Sequence, residues 1–228
     1  MNNGNSKADR WMWGITIFLV LIGIAIVIHR LLVLSSPAKF ATSRSPVPDN
    51  GFAAHPILTR IHIIPGLLFM LLAPLQFVKR LRTGYPQIHR FTGYIVLVSG
   101  LIIGTTALIM GFIMAIGGIT ETLAVTVYGV LFLFSLTKAY LHIVKREITF
   151  HRRWMIRALA IGLAVATTRP IMILFFATSS LTGLTVRQFF GIAFWIAFTL
   201  HIIVAEIWIR RTRGMAVIQE IRIEDANS

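Results

Sequence analysis

Arg169 is the residue whose type and setting most demand an explanation. It lies within the apolar stretch Trp154–Ala177, preceded by Thr167 and Thr168 and followed by Pro170. Its position is about eight residues, or roughly 12 Å of helix, from the outer end of that stretch. An arginine at hydrocarbon depth costs several kcal/mol unless it is paired or reaches the interface, so it marks a candidate site. Among the eight acids, Glu121 is the carboxylate placed to meet it. The charge has two further outlets: snorkelling outward, or a ligand anion such as a haem propionate, a quinone oxygen or a lipid phosphate.

Histidine supplies the second set of candidates, with seven in the chain. Neutral imidazole ligates haem iron or transition metals and relays protons. His89 and His151 each open an apolar stretch and each precede an arginine, as His89-Arg90 and His151-Arg152. Haem held between two membrane helices needs one histidine from each at equal depth, and this pair meets that condition. Haem b is the cofactor such a pair would take, with His89 and His151 as its metal ligands. The competing reading is an interfacial His-Arg anchor to lipid phosphate. His62 begins another stretch on the outer side, where it serves either as a helix-start hydrogen-bonding group or beside Arg169 and Glu121. No spacing gives a closed zinc pattern, and the chain has no cysteine, which excludes disulfides, thiolate metal sites and cysteine nucleophiles.

The elements that must position these residues are six apolar runs, roughly Trp11–Ile28, Ile57–Phe77, Phe91–Ala115, Leu123–Ile143, Trp154–Ala177 and Phe189–Ile209. Each has about the 20 residues a helix needs to span hydrocarbon. Unbroken runs are not the alternation of a barrel strand, so the expected fold is all-α: a polytopic bundle of six transmembrane helices. The composition agrees, at 56% hydrophobic and 13% charged with mean hydropathy +0.79.

The net charge of +14 becomes a topology signal once the basic residues are placed. Fourteen of the 22 Lys and Arg flank one face, in sets beginning at Lys7, Lys79, Lys145 and Arg210. Five flank the other: Arg30, Lys39, Arg44, Arg60 and Arg187. Lys138, Arg157 and Arg169 lie inside spans. The positive-inside rule then makes both termini cytoplasmic, in the inner (plasma) membrane. The basic rim faces anionic lipid headgroups rather than nucleic acid. The organisation expected is a cytoplasmic N-terminus over 1–10, one transmembrane domain over 11–210 with an irregular outer loop at 35–56, and a cytoplasmic tail over 211–228. The first run lacks a small-residue cleavage site and is read as a retained span.

Two features suggest how the spans pack. Val78-Lys79-Arg80 with His89-Arg90 parallels Val144-Lys145-Arg146 with His151-Arg152, the pattern of two related hairpins. Ala158, Gly162 and Ala166 form a small-residue stripe that marks the fifth span as central, and Gly93, Ser99, Gly100, Gly104 and Thr105 suit the third to tight packing. Gln76, after Pro74, is placed to hydrogen-bond the same interior as Arg157 and Arg169.

His62 with Gly66, Pro74-Leu75-Gln76 before the basic turn, His89-Arg90 with Gly93-Tyr94, the run from His151 to Arg157, and Arg169 together resemble an uncharacterised bacterial family of multi-pass membrane proteins, a domain of unknown function. That resemblance covers about half the chain. A weaker similarity is to the ascorbate-reducible b-type cytochromes, in which two haems lie between histidines of alternate helices. It implies haem between His89 and His151. The second pair is missing, because His62 is outer and His142 inner. The leading expectation is a redox-related protein associated with haem or quinone; the alternatives are a permease-like transporter and a non-catalytic membrane subunit or assembly factor.

Overall fold

The computed structural model describes residues 7–35 and 50–227. Over those residues the elements are α1 (Lys7–Ser35), α2 (Asn50–Ala54), α3 (Pro56–Leu75), α4 (Lys79–Gly84), α5 (Pro86–Ile113), α6 (Ile119–Val144), α7 (Ile148–Thr182) and α8 (Val186–Asn227). Six of them, all but α2 and α4, are long and apolar enough to cross a membrane. An apolar run in hydrocarbon has no water for its N–H and C=O groups, so each closes its own backbone bonds as a helix.

The stops are local. Pro56 and Pro86 occupy the first helical positions of α3 and α5, where a missing N–H costs nothing. Gly183 ends α7 in the left-handed conformation. Gly118, at φ 61°, turns the chain into α6 beneath the Arg187 guanidinium.

Several helices overrun the expected stretches. At 35 residues, α7 spans about 52 Å, well beyond hydrocarbon about 30 Å thick. Arg169 therefore has a longer outer arm of helix beyond it than the apolar run implied. The tail expected over 211–228 continues α8 as far as Asn227. The irregular loop expected over 35–56 contains α2 in its second half, and its residues 36–49 lie outside the described residues.

Helices α3, α5, α6 and α7 follow one another around a four-helix ring, and α7 closes it by touching α3. Helix α1 lies over the α3–α7 seam and α8 over the α6–α7 seam. Helix α7 thus packs against four of the five other spans, as its small-residue stripe predicts: Ala158 and Ala166 are buried and Gly162 meets the Phe69 ring. Thr105 is exposed; its neighbour Thr106 is the buried one. The two expected hairpins are α3–α5 and α6–α7. His89 and His151 each stand fourth in their helix (86 to 89, 148 to 151). Their connections differ, since α4 fills the first whereas the second is a tight turn with Arg146 at φ 60°.

Phe69 plugs the centre of the ring. It is 1% exposed and meets Phe132 edge-on at 5.4 Å. A Cβ on Gly162 would lie 2.6 Å from its ring and one on Gly100 3.3 Å, so both glycines are needed to seat it. This plug divides the interior into a basic end, carrying α4 and the 145–147 turn, and a loop end, carrying α2 and the 114–118 turn.

Candidate functional site

Above Phe69, toward the loop end, the bundle holds a chamber of about 240 Å³ to which all six spans contribute. One wall, running down from the loop end, is aromatic. Phe190, Phe194 and Phe198 recur every four residues and so share one face of α8, with ring centroids 5.6 and 5.7 Å apart along the ladder. Phe69 and Phe132 complete the floor, and Met70 and Met110 add adaptable sulfur-bearing walls.

The polar groups gather at the loop end, at the level of Phe190: Arg30 of α1, His62 of α3, Glu121 of α6 and Arg169 of α7. The three residues expected to meet, His62, Glu121 and Arg169, line one chamber. Glu121 is buried and accepts the Gly117 N–H at 2.6 Å, and the Arg169 guanidinium acts on it electrostatically. Arg30, counted from the sequence as a flanking charge, is instead 6% exposed and turned inward, with Phe52 of α2 stacked on its guanidinium at 3.9 Å. Thr59 ties that short helix down, its one hydroxyl hydrogen shared between the Phe52 carbonyl and that of His55 just beyond it. A signal for Arg30 was present: it follows an unbroken apolar run and is succeeded by Leu31-Leu32-Val33-Leu34, so the helix carries on past it.

His62 has a defined tautomer. The Thr106 hydroxyl carries one hydrogen and gives it to the Ile102 carbonyl at 2.7 Å, so at 2.9 Å it accepts from His62 Nδ1. The imidazole then carries its lone pair on Nε2. Thr106 had no signal in the sequence beyond its neighbour Thr105.

The other expected site residues lie elsewhere. His89 and His151 are at the basic end, within electrostatic reach of each other, and neither lines the chamber. His151 Nδ1 donates to the Ala139 carbonyl at 2.8 Å, the orientation that leaves Nε2 for a ligand. His142 is taken up by Glu147 and stacks on Phe150. Gln76 does not join the arginines; it donates to Thr92 at 2.8 Å. Arg157 has a carboxylate partner that the sequence reading missed, Glu206 of α8, in a bidentate bond of 2.6 and 3.0 Å over the Trp154 ring. Among the described residues, no group of three or more His, Asp and Glu could hold a metal ion.

A family described as "Predicted membrane protein (DUF2306)" matches residues 59–209. No curated protein and no solved structure matches. The match runs from the first turn of α3 to the span of α8. It takes in His62, Glu121, Arg169 and the phenylalanine ladder, and leaves out α1 and α2 with Arg30 and Phe52.

Proposed function

We propose that this chain, which belongs to the DUF2306 family of predicted membrane proteins, holds an apolar molecule with an oxygen-bearing head in the loop-end chamber, the class that includes membrane quinones. One observation carries the proposal: two guanidiniums, an imidazole and a carboxylate face a chamber whose other walls are Phe, Met, Ile, Val, Gly and Ala. Polar groups facing a void at membrane depth are expensive unless something of matching polarity fills it. A guanidinium has five N–H donors, so each arginine can keep a structural partner and still bind a ligand oxygen. A cavity of about 150 Å³ takes benzene, so this one suits a head of about ten non-hydrogen atoms.

The test is solvent extraction and mass spectrometry of protein purified in mild detergent. An apolar oxygen-bearing compound should co-purify and be lost in Gly66→Phe. Gly66 lines the chamber, and an added Cβ there meets only Ile103, at 3.8 Å, so a larger side chain enters the void without displacing a helix. Identical extracts from both proteins would end the proposal.

The chamber opens toward the exterior of the plasma membrane in this reading. The 14 basic residues of the other end mark it as cytoplasmic, with both termini there and the basic rim against anionic headgroups. Reporter fusions after Gly84, Glu147 and Ser228 should report cytoplasm, and those after Asn50, Gly118 and Gly183 the exterior.

A second reading, haem b between His89 and His151, is favoured by the His151 tautomer, which presents Nε2. Haem there would supply one-electron chemistry at the cytoplasmic end. A Soret band lost in His151→Ala and retained in His55→Ala supports it; a featureless spectrum removes it.

A further inference from the structure

The loop-end chamber asks for a hydrogen-bond donor as well as acceptors, and we infer that its ligand is a quinol-type head, an aromatic ring bearing hydroxyl groups. The inference rests on the chamber reading above and narrows it.

The argument turns on His62. Its Nδ1–H is committed to Thr106, because the threonine has already given its one hydrogen to Ile102. Nε2 is therefore an acceptor. His62 lines the chamber, and its ring also bonds to the Ile103 carbonyl, which lies 3.2 Å from Thr106 Oγ1 and so on the Nδ1 side; beyond these two partners the described residues give the ring none, which leaves Nε2 to the void. Arg30 and Arg169 offer only donors. A ligand matching all three gives a hydrogen to His62 and accepts from a guanidinium.

A quinol does both, since each hydroxyl donates one hydrogen and accepts through its lone pairs. The oxidised quinone of the same skeleton accepts only. An ionised fatty carboxylate also accepts only, and would leave Nε2 facing a second acceptor with nothing between them. The walls agree with a ring. Phe190, Phe194 and Phe198 stack along α8 and Phe132 stands edge-on to Phe69, so an aromatic head adds one more member to an existing set. Methylhydroquinone, with nine non-hydrogen atoms, matches the space.

The experiment is equilibrium dialysis of detergent-purified full-length protein under anaerobic buffer with three probes: methylhydroquinone, methylbenzoquinone and octanoate. The chain has no cysteine, so thiol adducts of the quinone do not arise. The quinol should bind at least about tenfold more tightly than either acceptor-only probe, the value of one buried hydrogen bond to an otherwise unsatisfied group. In His62→Leu that preference should fall to about unity. Thr106→Val, which releases the tautomer without removing the imidazole, should narrow it while leaving the thermal melt close to the parent's. Gly66→Phe should abolish binding of all three. Equal binding of quinol and quinone, or tighter binding of octanoate, in a protein whose binding Gly66→Phe abolishes overturns the quinol assignment and leaves the chamber reading standing. No binding of any probe to the parent overturns both.

Discussion

Helix α7 carries two arginines inside the membrane, and the bundle treats them differently. Arg157, in the basic half, is held by both carboxylate oxygens of Glu206 and covered by the Trp154 ring. Arg169, twelve residues on (157 to 169), borders a chamber with Arg30 and His62. Two charges of the same type on one helix thus separate into a bond between spans and the lining of a chamber, the one proposed above to hold a ligand. A buried charge alone does not identify a site; what the charge faces does.

The comparison depends on Phe69 keeping the two halves apart, and the most damaging change is there. Phe69→Ala should destabilise the protein by about 3–5 kcal/mol, the usual result of emptying so buried an aromatic position. Denaturant titration in detergent would measure it, and a loss under 1 kcal/mol would mean the neighbouring helices collapse into the gap. Arg157→Ala comes next. The pair is partly exposed, at 21% and 35%, so the penalty for a solitary buried charge is discounted to about 1–2 kcal/mol. Double-mutant cycles with Glu206→Gln should return a coupling energy; additive effects would demote the bond to a surface pair.

Arg169→Ala should show the opposite profile: a smaller change in melting temperature than Arg157→Ala, and at least a tenfold loss of ligand, about 1.4 kcal/mol of binding. Arg187→Ala, at the exposed first turn of α8, should do neither. Lysine should rescue Arg169 poorly, because a point charge does not reproduce the planar fork. If Arg169→Ala and Arg157→Ala lose stability alike and ligand not at all, the contrast between the halves disappears. The smallest expected effect is the stability change of Gly66→Leu, within about 1 kcal/mol, since filling a void offsets the new side chain's ordering. A large loss there would show that the void is not open at Gly66.

The spans were readable because the bilayer imposes one rule on every backbone group, and six unbroken runs obey it. The central place of α7 was readable from Ala158, Gly162 and Ala166, whose spacing admits close neighbours. That His62, Glu121 and Arg169 would lie in the same half of the bundle was readable from depth, since His62 and Glu121 stand early in inward-running helices and Arg169 in the outer half of α7; all three line the chamber. Arg30 was misplaced because the first stretch was ended at Ile28, although Leu31 to Leu34 carry the helix on past it; its inward direction is decided by the contact with Phe52, which depends on the fold of α2. Glu206 was missed because Arg157 lies 49 residues away, and no local pattern encodes a pairing between helices. Thr106 was missed because rotation about α5, not residue type, separates it from Thr105.

The Phe69 plug also has an electrical meaning. A membrane that stores energy as a potential is a capacitor, and each unit charge crossing 100 mV releases about 2.3 kcal/mol. A polar chamber reaching partway through the dielectric thins the insulator wherever water can follow. An aromatic ring seated between Gly100 and Gly162 and edge-on to Phe132 fills the centre of the bundle at that depth, so on the proposed reading the chamber ends at an apolar barrier rather than continuing as a conducting path.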